Sequence, residues 1–199
     1  MSRTFAPGRA RMLALALTAL LLAALAFAAI TSRSSTLNTG AATAGLVHIE
    51  MKVTGQKTGV FKGDSLQKGH TDQIVLSTYR FGITSPRDPA SGQATGRRQF
   101  HPVKVTKQMN QSSPQFMNAV DTNENLKSVV INFYETTRTG TLVNFYRVTL
   151  TNANISEDRQ STSGATVSEE VSFVFQKIEQ QSLTGGTAFQ DDIVGGKIA

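Results

Sequence analysis

Cysteine and tryptophan are both absent from the 199-residue chain. Without a thiol there is no disulfide scaffold, no cysteine nucleophile, no zinc site built on thiolates and no acylated N-terminal cysteine. Charge is thin as well. Only 17% of residues are Asp, Glu, Lys or Arg, against 39% apolar, which is too little charge for a typical disordered chain. The signatures of several chemistries are missing too. There is no His-x-x-x-His pair, no Gly-x-Ser-x-Gly elbow, no Gly-Lys-Ser/Thr phosphate loop and no alternating Asp calcium loop. No catalytic residue, cofactor or metal ligand is therefore expected. What the chain has in quantity is Gly, Thr, Ser and Val, a composition that leans towards β structure.

The N-terminus differs from the rest. Residues 1–11 carry Arg3, Arg9 and Arg11 and no acid, and only Thr18 interrupts the apolar run 12–30. A basic start, an apolar stretch and the small-residue exit Ala26-Phe27-Ala28 form the pattern of an export signal. The stretch is also just long enough to anchor in a bilayer if it stays uncleaved. Residues 1–28 are thus expected to be a signal peptide or a membrane anchor, with the first residues in the cytoplasm. Residues 29–45, rich in Ser, Thr, Gly and Ala, read as a flexible linker. One folded domain is expected over 46–199, long enough for a substantial core. Removing the three leader arginines lowers the formal charge from +6 to +3. The basic balance is then no argument for nucleic acid, and Arg97-Arg98, the one adjacent basic pair of the domain, has no aromatic platform beside it.

Within the domain the dominant period is two. Leu46–Val53 places Val47, Ile49, Met51 and Val53 on one face. Gln73–Tyr79 reads as a second β segment. Phe100–Met109 alternates through Val103 and Val105, and Leu126–Glu135 through Ile131 and Phe133. Leu142–Leu150 follows across a Thr139-Gly140 turn, and Val167–Ile178 aligns Val171, Phe173 and Phe175. Several strands with short breaks predict an antiparallel barrel or sandwich. One short helix is expected over Ser112–Val120. Ser113 serves as N-cap, Pro114 as first helical residue, and Phe116, Ala119 and Val120 form the apolar face.

The polar residues offer little chemistry. His48, His70 and His101 lie far apart in the chain. Glu169 and Glu170 point to opposite faces of a strand, so they do not share a substrate. Asp191-Asp192 is a weak calcium suggestion. Gly59–Ser65 reads as a turn, and 120–125 and 159–166 as ordinary loops. Asn110 and Asn154 sit in glycosylation triplets that matter only in a glycosylating host. Thr84–Arg98 is different. It holds Pro86, Pro89, Gly92 and Gly96 and almost no apolar residue, and a structureless loop of that length is commonly functional or interfacial.

Several motifs then fall in one order: Gly63-Asp64-Ser65, Gly69-His70, Ser85-Pro86-Arg87-Asp88-Pro89-Ala90-Ser91-Gly92, Thr95-Gly96-Arg97-Arg98 and His101-Pro102-Val103. Ser112-Ser113-Pro114, Asn118-Ala119, Asn152-Ala153, Glu169-Glu170-Val171-Ser172-Phe173 and Lys177-Ile178-Glu179 complete the set. Over about residues 46–195 it resembles the Hcp (haemolysin-coregulated protein) family, the tube proteins of bacterial type VI secretion. The resemblance implies a mainly β fold, an antiparallel barrel of two sheets with one flanking helix. It implies a non-enzymatic subunit of homohexameric rings stacked into a hollow tube, with sheath, spike and effector proteins as partners. Pro86, Arg87, Asp88, Pro89, Gly92, Gly96, Arg97 and Arg98 would then form an oligomer-contact loop, while Ser113 and Pro114 cap a structural helix. No toxin domain is expected after Gly196. The family's tube subunits start close to the first strand, so the leader is a departure. It implies a secreted or periplasmic subunit, or one held at the inner membrane through residues 12–30. The alternative is an exported barrel that binds a ligand without any tube role.

Overall fold

The computed structural model describes residues 47–193, all within the unit Thr43–Ala199. The expected leader, linker and Leu46 lie outside the described residues, among which no helix is long and apolar enough to cross a membrane. The elements run β1 (Val47–Gly55), β2 (Ile74–Leu76), β3 (Thr78–Arg80), β4 (Ile83–Thr84), β5 (Gln99–Phe100), β6 (Val103–Gln108) and α1 (Ser113–Asp121). They continue with β7 (Leu126–Thr136), β8 (Leu142–Ser163), β9 (Thr166–Ser182) and β10 (Thr187–Asp192).

One sheet has the order β2-β1-β7-β8-β9-β6-β3, with β10 also on β9. Every pairing is antiparallel. The continuous segment expected over Gln73–Tyr79 breaks at Ser77. β2 pairs with β1, whereas β3 pairs with β6. The two margins of the sheet are therefore joined through one residue, whose N–H donates to Thr106 O at 2.7 Å. A straight strand could serve only one margin; the kink nearly closes the barrel. β4 and β5 form the second, two-stranded sheet.

The alternating positions fill the interior as their period dictates. Met51, Val53, Val103, Val105, Val129, Ile131, Val148, Leu150, Val171 and Phe173 are all fully buried. α1 lays Phe116 and Ala119 against this core, with the Phe116 ring 5.2 Å from Phe61 and 6.3 Å from Phe173. The cap differs from the expected one. Ser112 holds the N-cap position without a side-chain cap bond, and Ser113 is the first helical residue. The Ser113 hydroxyl is turned instead to Lys107 and Glu169. Pro114 still stands in the first turn, where its missing N–H costs nothing.

Two expected loops are also corrected. Residues 159–163 continue β8 and pair with β9 down to Ser163↔Thr166, leaving a two-residue turn with Gly164 at φ 59°. A glycine first in such a turn supplies the left-handed conformation that a tight hairpin needs. Val120 and Asp121 close α1. Beyond them Glu124 is nearly fully buried and accepts Lys57 N at 2.7 Å, Thr58 N at 2.8 Å and Thr58 Oγ1 at 2.7 Å. It ties the turn after β1 to the start of β7.

Candidate assembly surface

The segment Thr84–Arg98, expected to lack structure, is a self-braced arm. β4 and β5 pair at its base through Ile83↔Phe100 and Thr84↔Gln99. Further out Thr95 N donates to Pro86 O at 3.0 Å and Asp88 N to Gln93 O at 2.9 Å, with an Arg87↔Ala94 bridge between them. At the tip Gly92 N returns to Asp88 O at 2.8 Å. Gly92 takes φ 71°, the left-handed region where a side chain costs energy. The Asp88 carboxylate accepts Ser91 N at 2.7 Å, Ala90 N at 3.0 Å and Ser91 Oγ at 2.9 Å. The Ser91 backbone and hydroxyl donors hold this carboxyl below its ordinary range. Arg87 Nη1 donates to Gly92 O at 3.1 Å.

Polarity explains why this arm forms outside the core. Every residue from Pro89 to Gln99 is exposed, so no apolar burial holds it. Its order comes from backbone pairing, a side-chain bracket at the tip and two prolines that restrict φ. Pro86 is half-buried, with Gly96 beside its ring.

The root is fixed more firmly. Phe81, Phe100 and Phe175 form a ring cluster with centroids 6.0–6.4 Å apart. His101 N donates to Gly82 O at 3.0 Å, and His101 Nε2 lies 2.8 Å from Thr84 Oγ1. Arg98 stacks over Phe100 at 5.7 Å and pairs with Asp191 of β10 at 2.6 Å. Asp191 is 1% exposed, so its carboxylate serves as the arm's buried counter-ion. Among the residues expected in the contact loop, Asp88 and Arg87 brace the tip and Arg98 anchors the root. Pro89, Gly92, Gly96 and Arg97 are presented on the exposed length.

Other polar groups meet where sequence spacing gave no sign of it. His48 and His70 converge on Glu50, which is fully buried. His48 Nε2 lies 2.9 Å from Glu50 Oε1, His70 Nδ1 contacts Oε2, and Ser65 Oγ donates at 2.5 Å. This clasp fastens the loop after Phe61 to β1. Alternation along β1 predicted Glu50 on the solvent side; the loop that covers this strand face is invisible to local periodicity. Glu169 and Glu170 do point apart, to Lys107 and Lys104 respectively. Among the described residues no group of three or more His, Asp or Glu is arranged to hold a metal ion.

Comparison with known proteins gives a consistent result. The family model for the type VI secretion system effector Hcp matches residues 51–181. The major exported protein of Pseudomonas aeruginosa is 36% identical over 100 residues, covering 46% of this chain and 58% of that relative. The chain thus spans little more than half the length of that curated relative. A crystal structure of an Hcp protein superposes with a TM-score of 0.70 at 27% identity, covering 73% of this chain and 98% of the other. The secreted protein Hcp3 from Pseudomonas aeruginosa gives 0.63 at 28% identity, covering 74% and 98%. With the family model spanning well over half of the chain and the fold matching, the chain belongs to the Hcp family of type VI secretion system effectors.

Proposed function

We propose that the chain is a non-enzymatic structural subunit that assembles into six-membered rings, stacked into a hollow tube for effector delivery. The observation that carries this reading is the arm. Its backbone is satisfied internally and its root is anchored by Arg98–Asp191 and the phenylalanine cluster. Its length is nevertheless exposed. An ordered, exposed projection suits a heterologous contact, in which one surface meets a different surface on the next copy. The names of the two Pseudomonas relatives, one exported and one secreted, support a role outside the cytoplasm.

The organisation proposed with it is a leader over 1–28, a linker over 29–45 and an Hcp-like domain over 46–199. The leader directs the subunit to the periplasm or the exterior, or keeps it at the inner membrane if uncut. Sheath, spike and effector proteins are the partners in this reading. Native mass measurement of the purified protein tests it. A six-fold mass is expected, lost on deleting residues 86–97 while the barrel stays folded. A monomer at every concentration overturns the ring and favours an exported binding module.

A further inference from the structure

Beneath the first turn of α1 lies a group of buried charges. Lys107 and Glu169 are fully buried and pair at 2.5 Å, directly opposite one another in the β6–β9 register. Lys107 Nζ also donates to Ser113 Oγ at 2.9 Å, Asn110 Oδ1 at 3.0 Å and Gln108 O at 3.0 Å. Glu169 further accepts Ser113 Oγ at 2.7 Å and Gln160 Nε2 at 3.0 Å. One cation and one anion are thereby satisfied.

A second carboxylate remains. Asp158 sits two residues before Gln160 on β8, one step along the same sheet face, across from Val171. Both its oxygens are shielded from water and neither meets a donor. From β9 the group facing it is Glu169, its diagonal neighbour across the β8–β9 register, where Gln160 stands opposite Glu169. From β6 it is Lys107, already held by four acceptors, and α1 contributes the Ser113 hydroxyl and the Phe116 ring, 5.6 Å from Lys107 Nζ. Lys104, Glu157, Arg159 and Glu170 pair among themselves. Two ionised carboxylates are acceptors only and repel each other. Their close approach is stable when one carries a proton and donates it to the other.

We infer that Asp158 and Glu169 hold one proton between them, carried on Asp158, and that this proton closes the seam between β8 and β9 beside the Lys107–Glu169 pair. Burial, then the neighbouring Glu169 charge, pushes the Asp158 carboxyl up to about 7. Burial also opposes charge on Glu169, but Lys107, Ser113 and Gln160 outweigh it and hold that carboxyl low. A carboxyl raised in the folded state contributes stability that is complete below its unfolded value, about 4, and is lost as pH rises through about 7. The hairpin seam is therefore tight in acid and loosened in mildly alkaline solution.

The test compares thermal melts of the wild-type protein and Asp158→Asn from pH 4 to 8.5. Asparagine keeps a donor toward Glu169 and carries no charge. Its melting midpoint relative to wild type should climb between pH 4 and 7 and level off above, gaining about 3 °C or more. A difference that does not change with pH overturns the inference. A second measurement needs no variant: the Asp158 side-chain carboxyl carbon, followed by NMR in the wild type. Titration near 7 supports the shared proton, and titration near the ordinary value of about 4 overturns it.

Discussion

Replacing Arg98 with methionine and Asp191 with alanine should have unequal effects, and the inequality follows from burial. The two side chains meet at 2.6 Å, with Asp191 1% exposed and Arg98 37% exposed. Arg98→Met leaves a carboxylate that water barely reaches without its cation. Breaking a fully buried pair from this side costs about 3–5 kcal/mol. Partial access through the truncated arginine lowers that to roughly 2–3 kcal/mol here. Asp191→Ala leaves an arginine that can turn to solvent while keeping its contact with Phe100, so about 1 kcal/mol is lost. Urea unfolding at a concentration low enough to dissociate any ring would read both. A double-mutant cycle should return a coupling of about 1–2 kcal/mol between the two positions. If Asp191→Ala proves as costly as Arg98→Met, or costlier, Asp191 is not acting as the buried counter-ion of the arm.

Phe173→Ala should cost roughly 3–5 kcal/mol in the same unfolding assay, because the ring is fully buried against Phe116. Glu124→Gln should cost about 2 kcal/mol at neutral pH, since it weakens three bonds to a charged acceptor. Burial opposes its ionisation, but the Thr58 and Lys57 donors outweigh this and hold the carboxyl below its ordinary value. Its contribution is thus present above the unfolded value of about 4.3 and lost as pH falls through the lower folded value. The gap between wild type and Glu124→Gln should accordingly close in acid melts. Arg87→Ala and Asp88→Ala should leave the melting midpoint of the subunit nearly unchanged while weakening association in sedimentation experiments. Asp88→Ala should also speed amide exchange at Ala90 and Ser91.

Much of the barrel was legible because its strands obey a local period. Met51, Val103, Val171 and Phe173 fall at alternate positions and do point inward. The helix was legible from Pro114 and the spacing of Phe116 and Ala119. The cap was not, because the partners that claim Ser113 lie on β6 and β9. Long-range pairing hid the remainder. Residues 159–163 are polar and carry no strand pattern, yet the β9 register extends them into a hairpin. Lys107 is in phase with Val103 and Val105, and that was a sign of its inward direction. Nothing local revealed that Glu169 waits opposite it. Glu50, His48 and His70 likewise meet only after the loop folds over β1. The exposed arm was marked by composition, whereas its order comes from hydrogen bonds at Asp88 and an ion pair to β10, more than ninety residues away in the chain.

Electron microscopy of the purified protein bears most directly on the central claim. End views should show rings of six subunits with an open centre, and side views should show rings stacked along one axis. Single barrels without rings, at all concentrations tried, would contradict a tube role.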